Sequence, residues 1–250
     1  VTSLAIDSAY YGHNYDFKTI QELFPNLTSL KLYRPSGDWA WTLQERFPQT
    51  LFCANMTPYD QKLTSVRHLE LRYLGSGSDL EKVSGYFPNL ESLRTYQCPS
   101  MFQETQATPF THLQRLSLLS VSEVNGTLKV TGQQFPALRM WNSRMTNIKR
   151  LDLSDLATLS VVKIADQWKG TSTSKEPRLL LPDKLDYLEL ECAGWVKSGR
   201  FQHLAIPKSV THLFLDALPS EGEVWPPELR VLGLKDVRGS PFMQPGSKKK

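Results

Sequence analysis

Only three cysteines occur in 250 residues, Cys53, Cys98 and Cys192, and they stand far apart with no C-x-x-C and no histidine spaced as a zinc partner. That pattern argues against a disulfide framework and a metal ribbon and makes a reducing compartment the default. Long apolar runs are missing too. No stretch approaches the roughly 18 to 20 consecutive apolar residues of a membrane helix, and the opening VTSLAID has neither the basic nor the apolar region of a signal peptide. An excess of charge of one sign is largely missing. The formal balance is +4, and Lys248, Lys249 and Lys250 supply three of those charges as a solvated tail, so nucleic-acid binding does not follow from it. Enzymatic motifs are also lacking: there is no G-x-x-x-x-G-K-[ST], H-E-x-x-H, G-x-S-x-G or G-x-G-x-x-G, and LGSGSDL at 74–80 reads as a turn. The expectation is a non-catalytic chain that uses no metal and no cofactor.

What the sequence does have is repetition. A cassette of the form L-x-x-L-x-L recurs as Val1-Leu4-Ile6, Leu27-Leu30-Leu32, Val66-Leu69-Leu71, Leu90-Leu93-Thr95, Leu113-Leu116-Leu118, Leu185-Leu188-Leu190, Val210-Leu213-Leu215 and Leu229-Leu232-Leu234. A degraded copy falls at Leu138-Trp141-Ser143. Either Ile148-Leu151-Leu153 or Leu159-Val162-Ile164 supplies another, which makes nine to ten copies. In a strand the fourth and sixth cassette positions point to one face and the third and fifth to the other, so one face is core. Most copies start 19 to 26 residues apart, enough for a strand, a turn and a return segment, so successive strands stack in parallel. The interval of 39 residues from Leu27 to Val66 must hold an insertion. Because Val1-Leu4-Ile6 already has this spacing, the chain is expected to begin inside a repeat of a longer protein.

Leads such as Phe24-Pro25-Asn26-Leu27, Phe87-Pro88-Asn89-Leu90, Phe135-Pro136-Ala137-Leu138, Leu181-Pro182, Ile206-Pro207 and Trp225-Pro226-Pro227 precede the cassettes. Proline there ends any preceding helix and favours extended backbone, and the bulky residue before it is placed to plug the interior between coils. Asp16 and Asp79 are candidate caps for short helices in the first half. After residue 120 the return segments lose helical periodicity and read as irregular or extended.

Cassettes of this form at these intervals resemble the leucine-rich-repeat family over residues 1 to about 237. The resemblance implies an α/β leucine-rich-repeat solenoid, with a curved parallel sheet and short helices or irregular segments on its convex side. It implies a single domain over 1–240, an insertion at about 33–62, a flexible loop at about 169–178 and a C-terminal tail at 241–250. The family's usual Asn three positions past the last cassette leucine is missing: Pro35, Leu74, Cys98, Val121, Leu218 and Val237 stand there, and only Cys98 fits the Asn/Cys choice. The F-P-x-L leads resemble the repeat regions of F-box-type substrate receptors, and LESLRTYQCPS resembles those of intracellular immune receptors.

The family resemblance implies protein recognition on the concave sheet. Third, fifth, seventh and eighth cassette positions point there, giving as candidate contacts Lys31, Tyr33, Arg34, His68, Arg72, Tyr73, Arg94, Tyr96, Arg115 and Arg144, then Tyr187, Glu189, Glu191, Phe214 and Asp216. Glu70 and His212 share that face. Arg and Tyr, which dominate the first half, combine large contact area with a directional polar group. Parallel stacking puts Tyr33, Arg72, Tyr96 and Arg144 in one row with Leu119 between the last two. The second half is acidic and aromatic, so the face is expected to be bipolar. The competing reading is that Arg and Glu on neighbouring strands simply pair with each other.

Trp39 and Trp41 are expected to close the insertion over the core, Trp141 to fill a core position and Trp225 to plug a coil. His68 and His212 fall several coils apart and cannot share a proton or metal. The implied parent is an intracellular adaptor, cytoplasmic or nuclear, with an F-box-type ubiquitin-ligase substrate receptor foremost. An immune-type receptor sensing a foreign protein and a scaffold subunit of a larger enzyme or assembly are the alternatives. N-glycosylation patterns at Asn26, Asn55 and Asn125 keep a secreted ectodomain as the minority alternative.

Overall fold

The computed structural model describes residues 1–7, 17–33, 62–72, 83–96, 109–121, 127–145, 150–165, 179–191, 205–216 and 225–234. The insertion, the 169–178 loop and the tail lie outside the described residues, as do Arg34, Tyr73, Asp16, Asp79, Trp39, Trp41, the three cysteines, Asn55 and Asn125.

Thirteen strands and one helix make up the described elements. The strands are β1 (Ser3–Asp7), β2 (Ser29–Tyr33), β3 (His68–Arg72), β4 (Ser92–Tyr96), β5 (Arg115–Val121), β6 (Thr127–Lys129), β7 (Met140–Met145), β8 (Arg150–Asp152), β9 (Val161–Ile164), β10 (Leu179–Leu180), β11 (Tyr187–Leu190), β12 (His212–Leu215) and β13 (Val231–Leu234), with α1 (Phe17–Leu23) between the first two. Ten strands form one sheet in the order β1-β2-β3-β4-β5-β7-β9-β11-β12-β13, and every pairing in it is parallel. The chain is therefore a parallel β-solenoid with a repeat of about 25 residues. Cassette residues pair with cassette residues throughout: Leu30 with Leu69, Leu69 with Leu93, Leu93 with Leu116, Leu116 with Trp141, Trp141 with Val162 and Leu188 with Leu213. The fourth-position residues from Leu30 to Leu213 are buried, so the leucine column is the core.

Register alone does not hold the coils together. At the start of each strand one carbonyl accepts two consecutive amides from the next coil: Thr2 from Thr28 and Ser29, Thr28 from Arg67 and His68, Arg67 from Glu91 and Ser92, and so on to Thr211 from Arg230 and Val231, at 2.8–3.1 Å. Hydroxyls reinforce this ladder, as when Thr28 donates to the Thr2 carbonyl and Thr211 to that of Asp186. Before most strands a turn closes with the first cassette residue donating to the carbonyl three residues earlier, for example Leu90 to Phe87 and Leu138 to Phe135. Those turn residues are the interior plugs. Phe87, Phe110 and Phe135 are buried there, and the Phe110 and Phe135 rings stack at 5.5 Å between adjacent coils.

Three expectations are refined. Helix is scarce: among the described residues it is limited to α1 and a single turn at 83–86, so the architecture described is a parallel β-solenoid with very little helix. After residue 120 the backs of the coils are extended as expected, and β6, β8 and β10 build a second, three-stranded parallel sheet. The mid-chain ambiguity resolves accordingly, because Leu159-Val162-Ile164 supplies β9 of the main sheet while Leu151 belongs to β8 behind it. Finally, Trp225 is 39% exposed and is not a plug. In the later leads the slot three residues ahead of the cassette is taken by the proline itself. Pro182 and Pro226 are buried there, and the preceding apolar residue is pushed outward.

Because each coil touches only its neighbours, stability is a sum of local terms. Leu213→Ala, at a fully buried position, is expected to cost about 2–5 kcal/mol. Leu232→Ala, where 44% of the residue is exposed on the last described strand, is expected to cost less than half as much. Denaturant unfolding followed by far-ultraviolet circular dichroism separates the two, and equal losses would contradict the nearest-neighbour picture.

Candidate functional site

The register lays the outward residues in rows across the strands. One row runs Lys31, Glu70, Arg94, Ser117, Asn142, Lys163, Glu189 and Phe214. The next begins with Arg72 opposite Tyr96, Tyr96 opposite Leu119 and Leu119 opposite Arg144, the expected alignment. Tyr33 falls beside Arg72 by one further step from the Leu32–Leu71 pair. Continuing from the Ser143–Ile164 and Leu190–Leu215 pairs, this row passes through Ala165, Glu191 and Asp216. His68, Arg115, Tyr187 and His212 share a third row. The side chains of Tyr33 and Arg72 lie outside what is described.

In the middle of the sheet these rows enclose a bowl of about 410 Å³. Its cause is side-chain length. Asn142 and Ala165 are shorter residues on β7 and just past β9, whereas Arg94 and Tyr96 on one side and Lys163, Glu189 and Glu191 on the other are long. Arg94, Tyr96, Asn142, Arg144, Lys163, Ala165, Glu189 and Glu191 all line the bowl. Beneath it Trp141 fills the core with no exposed surface, and Ser143, where a cassette leucine would stand, gives the indole room.

The charges in this face fall into two groups. Lys31 pairs with Glu70 across adjacent strands at 3.8 Å, and Lys163 with Glu189 at 3.1 Å, so for these four the bland reading of the face is right. In both pairs the lysine is accessible to solvent while the carboxylate is largely covered. Arg94, Arg115 and Arg144 are exposed, and among the described residues no carboxylate pairs with them. The Arg94 guanidinium instead lies 5.1 Å from the Tyr96 ring centroid, in cation–π contact.

On the far side of the bowl stands an aromatic shelf. The Tyr187 hydroxyl donates to Glu189 Oε2 at 2.8 Å, the Lys163 ammonium lies 5.0 Å from the Tyr187 ring, and that ring stacks on Phe214 at 5.3 Å and on His212 at 6.3 Å. Gly233 lies opposite Phe214 on β13, where a Cβ would overlap the phenyl ring; glycine is what lets the ring lean over that backbone.

Sequence reasoning missed Lys163, Asn142 and Ala165. The signal was present in Leu159-Val162-Ile164, which puts Lys163 at a fifth position once that cassette is chosen. Among the described residues no group of three or more His, Cys, Asp or Glu side chains is placed to hold a metal ion, and no helix is long and apolar enough to cross a membrane.

The Lys163–Glu189–Tyr187 cluster has a titration signature. The hydrogen bond to Glu189 raises the Lys163 pKa above its ordinary 10.5, against the lowering effect of burial. Burial first, then the hydrogen bond to Glu189, raises that of Tyr187 above 10.0. Both groups hold their protons more tightly folded than unfolded, so their stabilising contribution is full below pH 10 and is lost as pH rises through the raised values. Glu189→Gln is expected to bring both pKa values down, Tyr187 only in part because burial remains. Ultraviolet titration of tyrosinate checks this, and an unchanged titration curve would contradict it. No protein-family model, curated protein or solved structure matches the chain, so its function is argued from this geometry.

Proposed function

We propose that the chain is a leucine-rich-repeat-type recognition module whose concave sheet binds a protein partner without catalysis, in its specific form the substrate-receptor part of an F-box-type ubiquitin-ligase adaptor. The observation that carries recognition is the pairing of two features on one face: three exposed arginines with no carboxylate partner among the described residues, and an aromatic shelf already fixed by stacking and hydrogen bonding. Arginine and tyrosine are the residues that most often dominate interface energetics. A shelf ordered before the partner arrives loses little side-chain entropy on binding. The cassette spacing and parallel register support the repeat-family reading, and the F-P-x-L leads support the adaptor form.

Site-specific photo-crosslinking tests the reading. A photoreactive residue at Arg115 on the concave face is expected to yield protein adducts, and the same residue at Lys129, exposed on the back sheet, is not. Tyr96→Ala/Tyr187→Ala/Phe214→Ala, made in the protein carrying the photoreactive residue at 115, is expected to reduce adduct recovery by about tenfold or more with the fold intact. Adducts formed equally from both faces, or untouched by the triple substitution, would remove the concave sheet from the argument.

A further inference from the structure

The bowl selects among partners, and this step rests on the recognition reading above. Arg94 and Arg144, two cations of the bowl with no carboxylate partner among the described residues, stand on strands two apart, roughly 10 Å across the sheet at about 4.8 Å per strand. The third cation, Lys163, is already neutralised by Glu189 at 3.1 Å. Asn142 stands between Arg94 and Lys163 in their row, on the same strand as Arg144. A volume of about 410 Å³ lies in the range of small-ligand sites and suits a short protruding chain segment rather than a broad folded surface.

From this we infer that the bowl receives one acidic side chain, Asp or Glu, of an extended segment of the protein partner, its carboxylate held between Arg94 and Arg144. Guanidinium groups bind carboxylates through paired, charge-assisted hydrogen bonds, and they satisfy such a group better than an ammonium already committed elsewhere.

Glu70 and Glu189 are already paired with Lys31 and Lys163, so the charge these rows offer a partner at the bowl is that of Arg94 and Arg144. Two guanidinium groups at one bowl match one carboxylate. The lysines of the same row are each answered by a carboxylate on the next strand and do not extend the arginines into a continuous basic track, which disfavours single-stranded nucleic acid.

Panning the full chain against a random peptide library displayed on phage, with sequencing of the enriched pool, tests the inference. Wild-type protein is expected to enrich peptides with Asp or Glu at one fixed position. Arg94→Gln/Arg144→Gln is expected to reduce that acidic enrichment by about tenfold or more. Arg139→Gln, a charge change of the same kind at an exposed residue outside the bowl, is expected to leave it unchanged. All three substitutions are at exposed positions, and circular dichroism confirms that each variant is folded. No peptide enrichment, enrichment without an acidic position, an acidic preference that survives the double substitution, or tighter capture of a labelled single-stranded oligonucleotide than of the enriched peptides would each overturn it. Concave-face crosslinks from residue 115 that persist alongside such a failure would leave protein recognition standing and remove only the acidic specificity.

Discussion

One carbonyl in each coil, shared by two successive amides of the coil above, recurs from Thr2 to Thr211 without a break. It sits immediately before the strand, so it fixes where each strand begins, and that start fixes which side chains face inward. A slip of a single residue would turn every leucine of a coil to solvent and every arginine to the core. The core burial and the outward rows thus descend from the same hydrogen-bond ladder. Threonine and serine hydroxyls add further hydrogen bonds to carbonyls at or just before these strand entries.

Much of this was legible because the signal is redundant. Eight clear cassettes at similar intervals overdetermine a parallel stack, and the Arg72, Tyr96, Leu119 and Arg144 alignment followed from counting positions. What escaped depended on volumes and single-residue offsets rather than on pattern. Leu151 and Val162 both look like cassette leucines, since an extended back strand buries apolar residues on its inner face just as a front strand does. Trp225 reads as a plug until the proline after it is seen to occupy the slot. The bowl is invisible to hydropathy because it arises from shorter side chains at Asn142 and Ala165 among long ones.

The face divides by whether its charges are already answered. Lys163 and Lys31 have carboxylates beside them and belong to the scaffold as much as to any site. Arg94 is arranged by an aromatic ring, a contact that orients a guanidinium without cancelling its charge. Sheet positions of the same type and exposure therefore differ in what they have left to offer a partner, and neighbouring strands decide the difference.

The backs of the coils change character along the chain, and this bears on the shape of the face in front. Helical packing requires roughly 8–10 Å between neighbours, while paired strands need about 4.8 Å. A helix such as α1 behind a front strand makes its coil a wedge, and a succession of wedges bends the stack. Where β6, β8 and β10 lie behind β7, β9 and their neighbours, front and back have equal spacing and the wedge vanishes. The bowl, lined from β4 to just past β11, lies largely in front of this evenly spaced stretch, and the shelf continues beyond it onto β12.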